Sequence, residues 1–413
     1  MAKFNFEKIK YALYLYAMAM TMNHEALYAQ SFLFPGSQSS FESGLSQTNT
    51  HGAPAIATNP ANTVITKRIE AYGDVSILNV SYSYLRAPYA AAVISVTAPP
   101  VNFGAAYKPK SNIAFGIFVT PRPSFSSQKI KSVPSTIGGE VIIVDIDQKA
   151  SSFMTAIGVG YKLNKNTSIG LSFIETAEDA QIIVRQQGTT DDANALVGMR
   201  YKGSSWQALL GCRTVLNPNT TIAATIKTSA TKTYAGTQII KGDSDNTLRK
   251  KGFDPMTIAV GGEYRFGPPA AFSELRLERW SAGQGSYSSG LPGATSSSAL
   301  NDVIVLVAGG RIKIPGGQSG SASIGIYPHN IGLGSSSTEL ESGGGKSGVQ
   351  FGNFDALDRM MFSAAYRKIA KKRDFTAGFN YTSGSRTVPS AYPNSGRYSL
   401  SVFTIGIGGS FYF

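Results

Sequence analysis

The feature that most restricts the fold is a pair of alternating runs joined by a tight polar turn, "FMTAIGVGYKLNKNTSIGLSFIE", Phe153 to Glu175. Phe153, Ile157, Val159, Tyr161 and Leu163 share one face of the first run. After "NKN", Ile169, Leu171 and Phe173 share one face of the second, opposite Ser168, Gly170 and Ser172. Side chains of an extended strand point to alternate sides, so this period of two predicts a β-hairpin with one apolar face. The same grammar recurs in "VNFGAAYKPKSNIAFGIFV", "WQALLGCRTVLNPNTTIAATIKTS", "TIAVGGEYRFGPPAAFSELRLERW", "VIVLVAGGRIKIPGGQSGSASIGIY" and "MMFSAAYRKIAKKRDFTAGFNY". A final run, "YSLSVFTIGIGGSFYF", reaches the C-terminus with Phe403, Ile405, Ile407, Phe411 and Phe413 on one face.

The pattern predicts about fourteen strands. They span 74–86, 100–108, 111–121, 152–163, 166–175, 205–214, 219–229, 256–266, 271–280, 301–314, 318–329, 358–369, 373–383 and 398–413. Their connections are sorted by length. Those after strands 2, 4, 6, 8, 10 and 12 are tight, whereas those after strands 3, 5, 7, 9, 11 and 13 are long and rich in Gly, Ser, Asn and Thr. In an up-and-down barrel alternate connections share a rim, so the sorting predicts short turns at one end and long loops at the other, as in outer-membrane barrels. The expected fold is all-β: a transmembrane antiparallel β-barrel, closed because an open sheet edge leaves N–H and C=O groups unpaired in hydrocarbon.

Composition agrees. Only 15% of residues are charged, against roughly a quarter in an average soluble domain. Lys3, Lys8 and Lys10, the apolar run "YALYLYAMAMTM" and "EALYA" read as an export signal over residues 1–29, a buried amphipathic helix being the other reading. Residues 30–73, rich in Ser, Gln, Asn and Gly, are expected to form an irregular plug, and 74–413 the barrel. The single cysteine, Cys212, permits no internal disulfide and no cysteine-based metal site. No cofactor is expected. The net charge of +13 suits anionic headgroups. The positive charge is spread over "KRIE", "LRKKG" and "RKIAKKRD" without a dense patch, so nucleic acid is not an expected partner.

Parity assigns the lumen. With Ile258, Val260, Tyr264 and Phe266 facing lipid, Glu263 and Arg265 face inward; with Leu275 and Leu277 out, Glu274, Arg276 and Glu278 face inward. These charges either form a polar channel wall able to orient an acidic headgroup, or simply pair with one another. Trp280 is expected as a rim aromatic or loop anchor, and Arg279 as a snorkelling base. Enzyme chemistry has little to work with. There is no Gly-x-Ser-x-Gly elbow, "GGGKSG" (Gly343 to Gly348) lacks the spacing of a phosphate loop, and His24, His51 and His329 are scattered.

Several stretches together resemble the outer-membrane long-chain fatty acid and aromatic hydrocarbon transporter family. They are "SGL" at Ser43–Leu45, "HGAPAIATNPAN" ending in Asn59-Pro60-Ala61, "GYKLNKNTSIGLSF", "VLNPNTTIAATIKTS" and "DPMTIAVGGEYRF…LRLERWS". The resemblance covers residue 40 to the terminus with gaps. It implies a fourteen-stranded barrel with an N-terminal hatch and passive uptake of hydrophobic molecules. It also implies an external groove in the loops at 176–204 and 230–255, an internal apolar pocket, and a lateral opening at a kinked third strand. Ile182, Ile183, Val184, Leu196, Ile239 and Ile240 are the candidate groove residues, although these stretches equally suit strands extended above the membrane. The run before Asn59 is shorter than usual for the family, Pro54 stands where small residues are common, and "EVIIVDID" inside 122–151 looks like extra strand.

The expected function is therefore transport of apolar molecules across the outer membrane of a Gram-negative cell, by a non-catalytic barrel acting as a monomer with both termini periplasmic. Lipopolysaccharide and outer-membrane lipid would surround it, and the barrel-assembly machinery would insert it, reading the terminal Phe413. A general porin, or a structural or adhesive surface barrel, are the alternatives. The turn "ATNPANT" is the candidate gate: Pro60 disfavours helix at Asn59, and Asn59 and Asn62 can bond nearby backbone.

Overall fold

A computed structural model describes residues 48, 50–85, 92–98, 101–137, 140–186, 197–240, 246–283, 294–296, 301–328, 338–340, 357–388 and 396–413. The expected export signal, residues 30–47 of the expected plug, Leu196, His329 and "GGGKSG" lie outside them.

The strands in chain order are β1 (Ile69–Leu85), β2 (Ala92–Ala98), β3 (Val101–Lys110), β4 (Ile113–Ile137), β5 (Glu140–Lys162), β6 (Thr167–Gln186) and β7 (Val197–Asn217). They continue with β8 (Thr220–Lys227), β9 (Ala230–Ile240), β10 (Asn246–Asp254), β11 (Met256–Arg265), β12 (Pro269–Arg279) and β13 (Ala294–Ser296). The last are β14 (Val303–Ile314), β15 (Gln318–Tyr327), β16 (Thr338–Leu340), β17 (Arg359–Ile369), β18 (Arg373–Val388) and β19 (Gly396–Tyr412). β13 and β16 pair only with each other.

The remaining strands form a closed antiparallel barrel of fourteen staves. β2 and β3 keep a single register on β1 and count as one stave, and two further staves are interrupted and count once each: β8 with β9 on β7, and β10 with β11. β1 and β19 close the ring from Glu70↔Tyr412 to Leu85↔Arg397. Phe413 N–H adds a bond to the Ile69 carbonyl at 3.0 Å. Both ends of the barrel chain thus meet at the rim of the short turns.

The alternation decides what each face meets. Val101, Phe103, Phe115, Ile157, Phe173, Leu210, Leu275, Leu306, Phe362 and Ile405 all point outward and exposed. Tyr107, Tyr161, Tyr264 and Tyr366 stand among them near the short turns. An unbroken apolar belt with aromatics at its edge is the surface that lipid covers.

Two features depart from the sequence reading. β1 begins at Ile69 rather than residue 74, so the expected plug–barrel boundary at 73 falls inside a strand. The expected loop at 122–151 is mostly strand: β4 has 25 residues and β5 has 23. Of the two readings of the groove stretches, extended strand is the one found: 176–186, 197–204, 230–240 and 246–254 lie in β6, β7, β9 and β10. About 9–11 residues cross a membrane, so these strands run on beyond lipid. There one face need not be apolar, and the alternation that marks a strand fades.

Candidate functional site: the barrel interior

Residues 50–66 lie against the inner wall, and the local sequence explains their path. A single helical turn, α1 (Ala55–Thr58), stops at Asn59, whose backbone is extended at φ −147° and ψ 96°. Pro60 excludes helix there and opens a 3-10 helix, Pro60–Ile65, whose first position suits proline. Asn59 caps it: Oδ1 accepts from the Ala61 N–H at 3.1 Å, satisfying one of the free amides at a helix start. Its Nδ2 donates to the Cys212 carbonyl of β7 at 3.2 Å. Asn59, Ala61 and Asn62 are fully buried.

The wall makes room by lacking side chains. A Cβ on Gly116 would lie 2.7 Å from Ile56, one on Gly160 2.6 Å from the Pro60 carbonyl oxygen, and one on Gly170 2.3 Å from the Pro60 carbonyl carbon. A Cβ on Gly211 would lie 2.1 Å from Asn59 Oδ1. Gly160, Gly170 and Gly211 are in register across β5, β6 and β7. Beside this track Ala53 and Ile56 join Tyr72, Phe118, Met154, Ile174 and Leu209 in one buried apolar cluster.

The start of the segment is anchored through polar groups. Gly52 takes the left-handed conformation, φ 68°, with the Glu70 carboxylate against it. Glu70 accepts from Thr66 Oγ1 and, at 2.6 Å, from Ser410 Oγ. His51 Nε2 contacts the Arg367 guanidinium and lies 3.6 Å from Asp374 Oδ2. Arg367 Nε donates to Asp374 Oδ1 at 3.0 Å, and both side chains are buried. From β18 to β7 is half of the fourteen staves. The chain from His51 to Asn59 therefore follows half of the inner circumference.

The other half has a different lining. Phe253, Phe272, Trp280, Val303, Val305, Val307, Tyr327 and Met361 form a second buried apolar cluster on β10, β12, β14, β15 and β17, with Trp280 just past the end of β12. Around it stand the candidate lumen charges. Arg276 donates to Glu274 at 2.8 Å. Glu278 accepts from Trp280 Nε1 at 3.0 Å and from the Tyr327 hydroxyl at 2.8 Å. Glu263 meets Arg265 at 2.7 Å and Arg311 at 3.3 Å. Trp280 is thus not a rim aromatic: it is buried and tied to Glu278, because a buried indole N–H needs an acceptor. Arg279 is exposed, 3.6 Å from Asp302.

Towards the long-loop end, Lys232 lies 3.2 Å from Asp254 and 3.6 Å from Glu178. Ser205 donates to Asp254 at 2.7 Å and Tyr234 donates to Glu178. Beyond this cluster the candidate groove positions converge on β7. Val184 of β6 and Ile240 of β9 both pair with Val197, Ile183 and Ile239 with Gly198, and Ile182 with Met199.

The sequence reading missed the second apolar cluster, the glycine track and the Asp374 anchor. Inward parity could have found Val303, Val305 and Val307, since both faces of that strand are apolar. The partners of the glycines are set only by register. Among the described residues no group of His, Cys, Asp and Glu could hold a metal ion.

No family model matches the sequence, and no curated protein does. Solved structures share the architecture. A Pseudomonas aeruginosa FadL homologue aligns at TM-score 0.63 with 11% identity, over 91% of this chain and 96% of that one. The Pseudomonas putida toluene transporter TodX aligns at 0.63 with 13% identity, over 92% and 98%. The Ralstonia pickettii toluene transporter TbuX aligns at 0.58 with 12% identity, over 92% and 99%. At these identities the likeness is one of fold.

Proposed function

We propose that this chain is an outer-membrane barrel that passes hydrophobic molecules, of the long-chain fatty acid or aromatic hydrocarbon kind, by passive diffusion. The observation that carries the reading is the division of the interior. One half of the wall is occupied by residues 50–66, and the other half offers a buried apolar cluster. An apolar cargo gains from surface removed from water, which a wide aqueous pore does not provide. The proteins of like fold named as toluene transporters support the same reading.

In this scheme residues 30–68 form the hatch, with Asn59, Pro60 and Ala61 as its gating turn. Cargo lands beside Val197–Met199, where Ile182–Val184 and Ile239–Ile240 converge, with Leu196 nearby in sequence. It then moves to the cluster around Phe272 and Trp280. Glu263, Arg265, Glu274, Arg276 and Glu278 frame that passage and orient a polar end group. A lateral exit fits the third stave, β4, which the two prolines Pro99 and Pro100 of the neighbouring stave approach in sequence without bringing an N–H to a ladder. β4 shifts register against β5 at Arg122/Phe125 and Phe125/Gln128. The short-turn rim and both termini are periplasmic, the barrel works as a monomer among lipopolysaccharide and phospholipid, and the assembly machinery inserts it.

Uptake of radiolabelled oleate or toluene by cells with and without the chain tests the reading. Expression should raise uptake severalfold, while vesicles carrying the protein should not swell in sugars. Rapid, size-graded sugar flux would instead make it a general porin. The gating turn has its own test: Asn59→Ala with Pro60→Gly removes the cap, worth about 0.5–2 kcal/mol, and the fixed φ. Uptake or leak should change while the barrel still assembles. Unchanged flux in both assays would reduce the turn to scaffolding.

A further inference from the structure

Part of the positive charge dispersed along the sequence is brought together by the fold, from "KRIE" and "RKIAKKRD" to one rim, while "LRKKG" lies in β10 toward the other. The six short turns contain no Asp or Glu. Lys67, Lys162, Lys165, Lys371, Lys372 and Arg373 are all exposed at this one rim. On the outer face, directly above the turn between β17 and β18, lies a groove of about 740 Å³. Its floor is the Gly73–Gly409 pair of the β1–β19 seam, where nothing lies within 4 Å of a Cβ placed on Gly73. Val75, Phe103, Phe375, Ile407 and Phe411 form its walls, and Lys368 and Arg373 its rim-side mouth. The two carboxylates that border it are engaged inside the barrel. Asp74 accepts from Tyr72 and Asn102 at 2.6 and 2.7 Å, and Asp374 from Arg367 at 3.0 Å.

We infer that this groove is a binding site for one membrane phospholipid with a net negative headgroup. An acyl chain lies over the Gly73–Gly409 floor, and the phosphate sits between Lys368 and Arg373. The apolar trough is continuous with the lipid-covered belt, and its only exposed charges are two bases at headgroup height. That pairing fits an anionic lipid better than a zwitterionic one, whose ammonium these bases repel. A soluble acidic protein would leave the trough unfilled. The inference rests on membrane placement of the barrel, and on no step of transport.

The test uses the full chain in nanodiscs of equal phosphatidylglycerol and phosphatidylcholine, with retained lipid counted by native mass spectrometry. Wild type should keep phosphatidylglycerol preferentially. Lys368→Gln with Arg373→Gln should cut that preference by about tenfold or more, at roughly 1 kcal/mol per base. Gly73→Leu, which has space for its side chain and changes no charge, should lower retention by filling the trough. Lys162→Gln with Lys165→Gln, away from the groove, should leave retention unchanged. Equal retention of both lipids by wild type overturns the site. So does an equal loss in the Lys162/Lys165 pair, which would mean diffuse attraction, or binding of a polyglutamate peptide in place of lipid. Heat-modifiable mobility on gels confirms assembly of every variant. Cargo uptake, scored separately, should not move, so failure here and failure of the transport reading are distinguishable.

Discussion

Placing a side chain on the glycine track should open the barrel without unfolding it. In the double variant Gly170→Val with Gly211→Val, planar-bilayer conductance is expected to rise severalfold above wild type, with normal gel mobility of the folded form. A Cβ on Gly170 meets backbone, 2.3 Å from the Pro60 carbonyl carbon and 2.5 Å from the Ala61 nitrogen, whereas one on Gly211 meets the tip of Asn59. Backbone cannot rotate away, so Gly170 carries the larger effect. Overpacking costs about 1–3 kcal/mol per site. Full burial of a side chain such as Ile56 contributes about 1.5–3 kcal/mol. One substitution therefore offsets about what a side chain such as Ile56 contributes, and a second weighs further against the contacts around residues 59–61. The wall itself should tolerate the change, because displacement of residues 59–64 relieves the clash. Gly73→Ala, with nothing near its new methyl, is the matched control. A double variant with wild-type conductance would show that residues 50–66 do not obstruct the lumen.

Removing the Asp374 carboxylate is the second large effect. Asp374→Ala leaves the Arg367 guanidinium buried without the partner it meets through both Nε and Nη2. Breaking a buried pair by deleting one member costs about 3–5 kcal/mol, most of it the stranded charge. The urea midpoint for refolding into lipid vesicles should fall accordingly. The double variant Arg367→Met with Asp374→Leu removes both charges and should recover most of the loss. Both variants delete the Asp374 carboxylate beside His51, and the double variant also removes its Arg367 contact, so both should leak more than wild type, the double variant most. Stability and leak therefore separate: the double variant regains the first and not the second. If it regains both, His51 is not an anchor.

Much of the barrel was legible because lipid imposes the alternation. Where strands cross the membrane, as in Phe153–Leu163 or Leu275–Leu277, one face must be apolar, and the pattern appears in the residues themselves. The upper parts of β4, β5, β6 and β7 were illegible for the complementary reason. Water asks nothing of them, so "EVIIVDID" gave only a hint of extra strand, and 176–186 suited loop and strand equally. The interior was harder still. Asn59 and Pro60 announce a turn, but not the wall against which it rests. That wall consists of Gly160, Gly170 and Gly211, brought together from separate strands only by register. The same holds for the charges. Lysines far apart in sequence share a rim because every second connection returns to it.

The glycine track also divides the molecule's freedom to vary. Positions 116, 160, 170 and 211 admit no side chain while residues 56–60 rest against them, so that side of the barrel cannot acquire new chemistry by substitution. The facing side, around Phe272, Val305 and Tyr327, is not bound by residues 50–66, although Gly309 there is likewise closed, with a Cβ 2.3 Å from the Ala322 carbonyl oxygen. A change of preferred cargo is therefore open to this chain on one flank only, and a library built to alter its selectivity should be confined to those staves.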